Sequence, residues 1–193
     1  MKKLESFFWG IIAAVGAGVV QFIFFILFSI FTDPAGKLSY GDFFSIPVFI
    51  LVIAFVEEFF KFLMLARRIT GISSKKTFFY NALLMGLGFF FVEFLLIIIS
   101  ITSATSFQSI TEIALLHLST TAFLSYFIFT ANSKKISSAV FAVLTASIFH
   151  GAYNFCISQA NVFADYLAII ILTALIFIDL VLFLRLGKEL AQD

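Results

Sequence analysis

Charged residues, cysteine and proline are all scarce in this chain of 193 residues. Only 12% of the residues are Asp, Glu, Lys or Arg, which is about half the share of a soluble domain. The single cysteine, Cys156, excludes an intrachain disulfide and any metal site made of several cysteines. The two prolines, Pro34 and Pro47, lie at or near the ends of long apolar runs. These scarcities exclude an ordinary soluble domain and a disulfide-bonded one.

Hydrophobic residues, in contrast, make up 62% of the chain, and the mean hydropathy is +1.14. A membrane-spanning helix needs about 20 mostly apolar residues, and several runs meet this requirement. The predicted spans are 8–31, 44–66, 78–100, 110–131, 137–158 and 163–185. The first run exceeds the roughly 7–15 apolar residues of a signal peptide, so it is predicted to be a retained helix. Residues 1–193 are therefore expected to form a single all-α domain, a polytopic membrane bundle of six transmembrane helices.

The positions of lysine and arginine predict how this bundle is oriented. Ten of these residues lie on the side that holds both chain ends, and only Lys37 lies on the other side. The remaining one, Lys61, falls inside a predicted span. Because short cytoplasmic segments carry an excess of Lys and Arg, both termini are predicted to be cytoplasmic.

A few polar side chains remain inside the predicted spans. A charge at this depth costs several kcal/mol unless it is paired, hydrated or protonated. The residues concerned are Gln21, Glu57, Glu58, Lys61, Glu93, His117, His150, Asn154 and Asp179. With a rise of about 1.5 Å per residue, the three glutamates and the two histidines come out at a similar depth. This layer lies from the middle of the membrane toward the non-cytoplasmic side.

Sequence spacing suggests which of these side chains share a helix face. His150 and Asn154 are four residues apart and are expected to point the same way. Glu57 and Lys61 have the same spacing, in the favourable order for an ion pair. Asp179 is predicted to lie at the same depth as Lys61. An ion pair between Lys61 and Asp179, with a structural role only, is therefore the competing prediction.

Four further polar residues are interpreted without a functional role. Gln21 and Cys156 are predicted to be packing residues. Glu112 and Asp165 fall at the outer ends of their helices and are predicted to be solvated.

Carboxylates and imidazoles in one membrane cavity suit two kinds of chemistry. One is hydrolysis, in which a carboxylate takes a proton from water and nearby donors stabilise the tetrahedral oxyanion. The other is the translocation of protons or ions. A zinc ion with an open position for water is a further possibility, with Glu57, Glu93, His117 and His150 as candidate ligands. A nucleophilic serine is not supported, because the chain has no G-x-S-x-G motif.

The order of these residues resembles that of the PrsW-type intramembrane proteases, a family related to the CAAX prenyl endopeptidases of the CPBP/Abi superfamily. The sequence EEFFK at 57–61 matches the EExxK motif, and FFFVE at 89–93 matches FxxxE. His117 follows on the next predicted helix, and HGAYN at 150–154 matches HxxxN. The prenyl-endopeptidase branch carries EExxxR and FxxxH instead, whereas this chain has Phe62 and a glutamate there. The matching motifs cover about half of the chain, from 57 to 154.

The resemblance implies hydrolysis of a peptide bond in a single-pass membrane protein, such as an anti-sigma factor, near the extracytoplasmic side. It implies an integral protein of a prokaryotic inner or plasma membrane. The lipid bilayer is then its surroundings, and no nucleic-acid partner is expected.

The resemblance also implies a role for each motif residue. Glu57 would be the general base and Glu58 would support its orientation or charge. His150 and Asn154 would donate to the oxyanion, while Glu93 and His117 would complete the water site. A glutamate-based mechanism without a metal is preferred, and zinc stays an alternative.

Two other interpretations of the same residues stay open. The chain could be a non-catalytic scaffold, as in the gamma-secretase scaffold subunit, which resembles the same superfamily. It could also be a small proton-coupled transporter that uses Glu93 or His117. The sequence shows neither an internal repeat nor a pair of interrupted helices, and this favours the first two interpretations over the third.

Overall fold

A computed structural model describes residues 3–32, 39, 43, 46–68, 75–100, 107–130, 136–159 and 161–189. These residues form six α-helices and no strand, which confirms the all-α prediction for the described part of the chain. The helices are α1 (Lys3–Thr32), α2 (Pro47–Arg68), α3 (Lys75–Ser100), α4 (Phe107–Thr130), α5 (Ile136–Ser158) and α6 (Val162–Glu189).

Each predicted span corresponds to one helix, with small differences at the ends. α2 begins at Pro47 rather than at Phe44, because proline suits the first helical position, where a backbone N–H has no partner in the helix. α1 begins at Lys3 rather than at residue 8, and its first turn contains Glu5, whose charge complements the helix dipole. Lys37, on which the predicted orientation partly depends, lies outside the described residues.

Five of the described helices are long and apolar enough to cross a membrane, namely α1, α3, α4, α5 and α6. α2 is the exception, since Glu57, Glu58 and Lys61 interrupt its apolar sequence. These properties fit a membrane-embedded protein. That α2 also spans the membrane, and that both termini are cytoplasmic, stay predictions.

The two ends of the bundle differ in how tightly they are packed. We call the end where α2 finishes and α3 begins the basic end, and the opposite end, where α2 begins, the distal end. Near the basic end, a continuous apolar core joins α2, α3, α4 and α5 through residues such as Leu65, Phe78, Leu124 and Ala142. The cavities described below lie in the distal half. The fold thus closes one half of the bundle and leaves space in the other.

Glycines allow α1 to approach α3 at the level of the backbone. A Cβ atom placed on Gly10 would collide with the carbonyl oxygen of Met85, and one on Gly88 with that of Phe7. Such close contacts between helices are typical of small residues in membrane proteins. Gly18, farther along α1, has no atom near the corresponding position.

This difference predicts opposite effects for two identical substitutions. Gly88→Ala should lower the free energy of unfolding by about 1–3 kcal/mol, because α1 must move away from α3. Gly18→Ala should be neutral or stabilise the protein by up to about 1 kcal/mol, since alanine favours the helix. Unfolding of both variants in detergent, followed by circular dichroism, measures the two effects. Equal stability of the variants would contradict this account of the α1–α3 contact.

Candidate active site

Lys61 of α2 is the cation around which the polar residues are arranged. Its side chain is fully buried, and its ammonium group lies 2.7 Å from Glu58 Oε1, 2.9 Å from His117 Nδ1 and 3.0 Å from Thr120 Oγ1. An ammonium group has three N–H donors, so all of them are used. The ring of Phe89 lies 4.6 Å from the same nitrogen. This complete set of partners allows a lysine to be buried at this position.

The contact with Lys61 determines the tautomer of His117. A charged lysine can only donate, so His117 Nδ1 must accept the hydrogen bond and the ring proton must be on Nε2. His117 Nε2 in turn contacts Glu93 Oε2 of α3, to which it donates. The ring is fixed from its sides by Phe89, with centroids 5.0 Å apart, and by the perpendicular ring of His150 at 5.1 Å.

His150 of α5 lies between the two adjacent glutamates of α2. Its Nδ1 is 2.6 Å from Glu58 Oε1, and its Nε2 is 3.5 Å from Glu57 Oε2. Glu58 Oε1 therefore receives hydrogen bonds from both Lys61 and His150. Because the Glu58 side chain is completely buried, we interpret it as the counter-charge of these two groups.

Glu57 has a different environment from that of its neighbour. Its Oε1 accepts a 3.0 Å hydrogen bond from Gln21 Nε2 of α1. Its Oε2 is buried and has no hydrogen-bond partner among the described residues. An unsatisfied buried oxygen is costly in free energy, so water or a substrate group that reaches this atom would bind favourably. Glu58 Oε2 also lacks such a partner, but the Glu58 side chain is completely buried.

Glu57 lines a cavity of about 430 Å³ that extends toward the distal end of the bundle. The cavity is bordered by five helices, α1 to α5. Its polar lining consists of Gln21, Glu57, Glu93, Ser109, Tyr153, Asn154 and Ser158. We call it the carboxylate cavity.

The predicted site residues thus fall into two groups. Glu57, Glu93 and Asn154 line the carboxylate cavity. Glu58, His117 and His150 are almost fully buried and contact that first group or each other. The prediction that these side chains of α2, α3, α4 and α5 lie close together, made from their depth and their order in the sequence, is confirmed.

Both predicted partners of Lys61 were wrong. Lys61 pairs with Glu58, three residues earlier, and not with Glu57, because successive residues on a helix point about 100° apart and Glu57 faces the cavity. Asp179 is buried elsewhere on α6, where Ser119 faces it. Neither Asp179 oxygen reaches hydrogen-bond geometry with a described residue.

Three further interpretations of single residues need correction or addition. Gln21 was predicted to be a packing residue, yet it binds Glu57, and its uncharged amide within an apolar run was the only available signal. Glu112 was predicted to be solvated, but it accepts a 3.0 Å hydrogen bond from the buried hydroxyl of Tyr153. Thr120, a partner of Lys61, was not predicted. Cys156 is buried in an apolar cluster, as predicted for a packing residue.

The side chains at this site provide only part of what a zinc ion requires. Glu57, His117 and His150 offer ligand atoms within 4.8 Å of one another, so three of the four candidate ligands are close together, while Glu93 is not in this group. A histidine ligand normally binds zinc through one nitrogen and donates a hydrogen bond from the other. In His117, however, the other nitrogen faces the Lys61 ammonium, which itself donates. The residues therefore do not fit a zinc ion.

No family model, curated protein or solved structure matches this chain. The resemblance to PrsW-type proteases therefore depends on the motif residues alone.

The arrangement around Lys61 predicts a large effect of its removal on stability. Lys61→Met leaves Glu58 buried without its cation and should lower the free energy of unfolding by about 3–5 kcal/mol. Addition of Glu58→Gln should recover part of this loss, since no buried charge then remains unpaired. The exposed Arg185 of α6 provides the control, because Arg185→Met should change stability little. Unfolding in detergent measures all three variants, and equal effects of Lys61→Met and Arg185→Met would refute the interpretation.

Proposed function

We propose that this chain is a glutamate-dependent intramembrane endopeptidase. The observation that carries the proposal is the Glu57 carboxylate, which lines a polar cavity inside an apolar bundle and has one oxygen without a hydrogen-bond partner among the described residues. The motif resemblance supports the same conclusion from the sequence.

In this mechanism Glu57 is the general base. Gln21 holds one carboxylate oxygen and leaves the other to accept a proton from a water molecule in the carboxylate cavity. The water then attacks the peptide carbonyl carbon as its proton moves to Glu57. The resulting tetrahedral intermediate collapses when Glu57 gives this proton to the peptide nitrogen, so that the C–N bond breaks and the products are a carboxylic acid and an amine. Glu58 is unsuited to this role, because it is completely buried, does not line the carboxylate cavity, and has its Oε1 engaged by Lys61 and His150.

His150 and Asn154 stabilise the oxyanion that forms in this step. The two ring nitrogens of His150 face carboxylate oxygens, so an imidazolium would have a partner on each side and would balance the charge of Glu57. When Glu57 takes the proton from water, the His150 Nε2–H becomes free to turn to the developing oxyanion. Asn154, one helical turn farther along, contributes its carboxamide N–H from the cavity wall.

Glu93 and His117 form a second unit at the same cavity. His117 holds one oxygen of Glu93, and the side chain of Glu93 is 36% exposed, so its other oxygen can accept a hydrogen bond from water or from the leaving amine. His117 itself is buried behind Glu93 and acts as a positioning residue.

The position of the cavity supports a particular kind of substrate. The cavity lies in the distal half, which is the extracytoplasmic half if the Lys and Arg distribution reports the orientation correctly. A single-pass protein of a prokaryotic inner or plasma membrane, such as an anti-sigma factor, would place a peptide bond at this depth.

A non-catalytic scaffold is the second candidate. It is favoured by one observation, namely that Lys61 and its partners join α2 to α4 and α5 through buried contacts. These contacts would hold the helices together even if no reaction took place in the cavity. The activity test below separates the two candidates.

The decisive variant is Glu57→Gln, which keeps an oxygen for the Gln21 hydrogen bond but removes the base. New protein N-termini in membranes of cells that express the wild-type chain, identified by mass spectrometry, should fall within single-pass membrane proteins. They should be lost with Glu57→Gln and persist with Asp165→Asn, which makes the same chemical change on an exposed residue of α6. Wild-type termini that persist unchanged in Glu57→Gln would refute the proposal. Stable assembly into a larger complex without any new termini would favour the scaffold.

The poor fit of the residues to zinc predicts the response to chelators. Cleavage of an identified substrate by the purified protein should be unchanged by EDTA or by 1,10-phenanthroline. Loss of cleavage that added Zn²⁺ restores would contradict the mechanism without a metal.

A further inference from the structure

A second cavity of about 320 Å³ lies between the distal halves of α1 and α2. Five of its lining residues are phenylalanines, and every lining residue other than Gln21 is apolar. We call it the phenylalanine groove. Its volume falls in the range of about 300–1,000 Å³ that is typical of ligand pockets, so it can accommodate a few apolar side chains.

The phenylalanine groove adjoins the carboxylate cavity. Both are lined by Gln21 and Ile53. Since Gln21 is hydrogen-bonded to Glu57, the inner end of the groove lies one hydrogen bond away from the proposed catalytic base. A molecule that fills the groove would therefore reach the site of hydrolysis.

The other end of the groove faces the surroundings of the bundle. On α1, the groove residues Phe24, Leu27 and Phe31 are 46%, 46% and 80% exposed. For a membrane-embedded protein these side chains meet lipid. An apolar segment could thus enter the groove sideways from the bilayer without contact with water.

Aromatic rings form contacts between α1 and α2 along the groove. Phe28 and Phe49 meet edge to face with centroids 4.7 Å apart. Phe43, from the connection between the two helices, is buried and stacks on Phe49 at 4.2 Å. These contacts are made by side chains and not by touching backbones, so the proposed entry requires α1 and α2 to part here while the glycine contacts hold α1 on α3.

We propose that the phenylalanine groove is the subsite that receives the apolar transmembrane segment of the substrate, and that Gln21 binds the peptide backbone next to the cleaved bond. This inference depends on the proposed function and specifies how its substrate enters. A peptide provides apolar side chains for the groove and a polar backbone for Gln21. The bond to Glu57 uses one amide N–H and leaves the other N–H and the oxygen of Gln21 for that backbone. A lipid acyl chain has no group that could bind this amide.

The test measures binding without any need for cleavage. The probe is a poly-leucine peptide of about 20 residues, flanked by lysines, that carries one photoreactive leucine. It is reconstituted in phosphatidylcholine vesicles with Glu57→Gln protein in a Cys156→Ala background. Labelled residues are identified by mass spectrometry and are expected on α1 and α2 at the groove.

Cross-linking of paired cysteines then shows whether the two helices must part. Phe28→Cys with Phe49→Cys, joined by a reducible thiol cross-linker, should abolish the labelling, and reduction should restore it. Phe127→Cys with Phe141→Cys provides the matched control, because these rings are 5.6 Å apart on α4 and α5, away from both cavities. Labelling that persists in the first cross-linked protein, or that maps to other helices, would overturn the proposal. Labelling of the groove by a photoreactive phosphatidylcholine but not by the peptide would do the same.

Gln21→Leu tests the polar end of the subsite. Loss of one hydrogen bond should raise the peptide concentration needed for half-maximal labelling about fivefold. Val19→Ala, at an exposed position of the same helix that lines neither cavity, should leave it unchanged. An unchanged value for Gln21→Leu would exclude Gln21 from peptide binding. If the peptide labels the groove but the wild-type protein shows no proteolysis, the proposed endopeptidase activity is refuted and the binding subsite is retained. If the wild-type protein shows proteolysis but the groove is not labelled, the subsite is refuted and the endopeptidase activity is retained.

Discussion

The buried ammonium group of Lys61 determines the direction of the hydrogen bonds at this site. It can only donate, so each of its three partners must accept. His117 is thereby fixed with its proton toward Glu93, and Glu58 is fixed where it also accepts from His150. One cation on α2 thus orders side chains on α3, α4 and α5. A neutral residue of the same size would leave these proton positions undetermined.

The same cation explains why two adjacent glutamates behave differently. Glu58 lies on the face of α2 that meets Lys61, and its charge is neutralised inside the protein. Glu57 is rotated by about 100° to the cavity face, where it accepts one hydrogen bond from the Gln21 amide and lies 3.5 Å from His150 Nε2. The proposed hydrolysis needs a carboxylate that is still able to accept a proton, whereas the buried cation needs a carboxylate that stays charged beside it. A pair of adjacent carboxylates on one helix meets both requirements.

Much of this architecture could be predicted from the sequence. Long apolar runs with polar breaks define the helices, and the fixed rise per residue places Glu57, Glu93, His117 and His150 at a common depth. Their partners could not be predicted, because the rotation of each helix about its axis is set by packing and not by depth. Lys61 had carboxylates available on two helices, and packing selected Glu58. Gln21 was misjudged because an uncharged amide costs less in a membrane than a charged group does and so gives a weaker signal.

The packing of α1 suggests how an apolar bundle can admit both a peptide and water. Near the basic end, α1 meets α3 through Gly10 and Gly88 with the backbones in contact, and this half cannot open without breaking close packing. Near the distal end, α1 meets α2 through aromatic rings. The apolar phenylalanine groove and the polar carboxylate cavity lie on either side of Gln21. Since peptide side chains and water require opposite surroundings, the proposed function needs two separate routes, and these two cavities would bring both to Glu57 from either side of one amide.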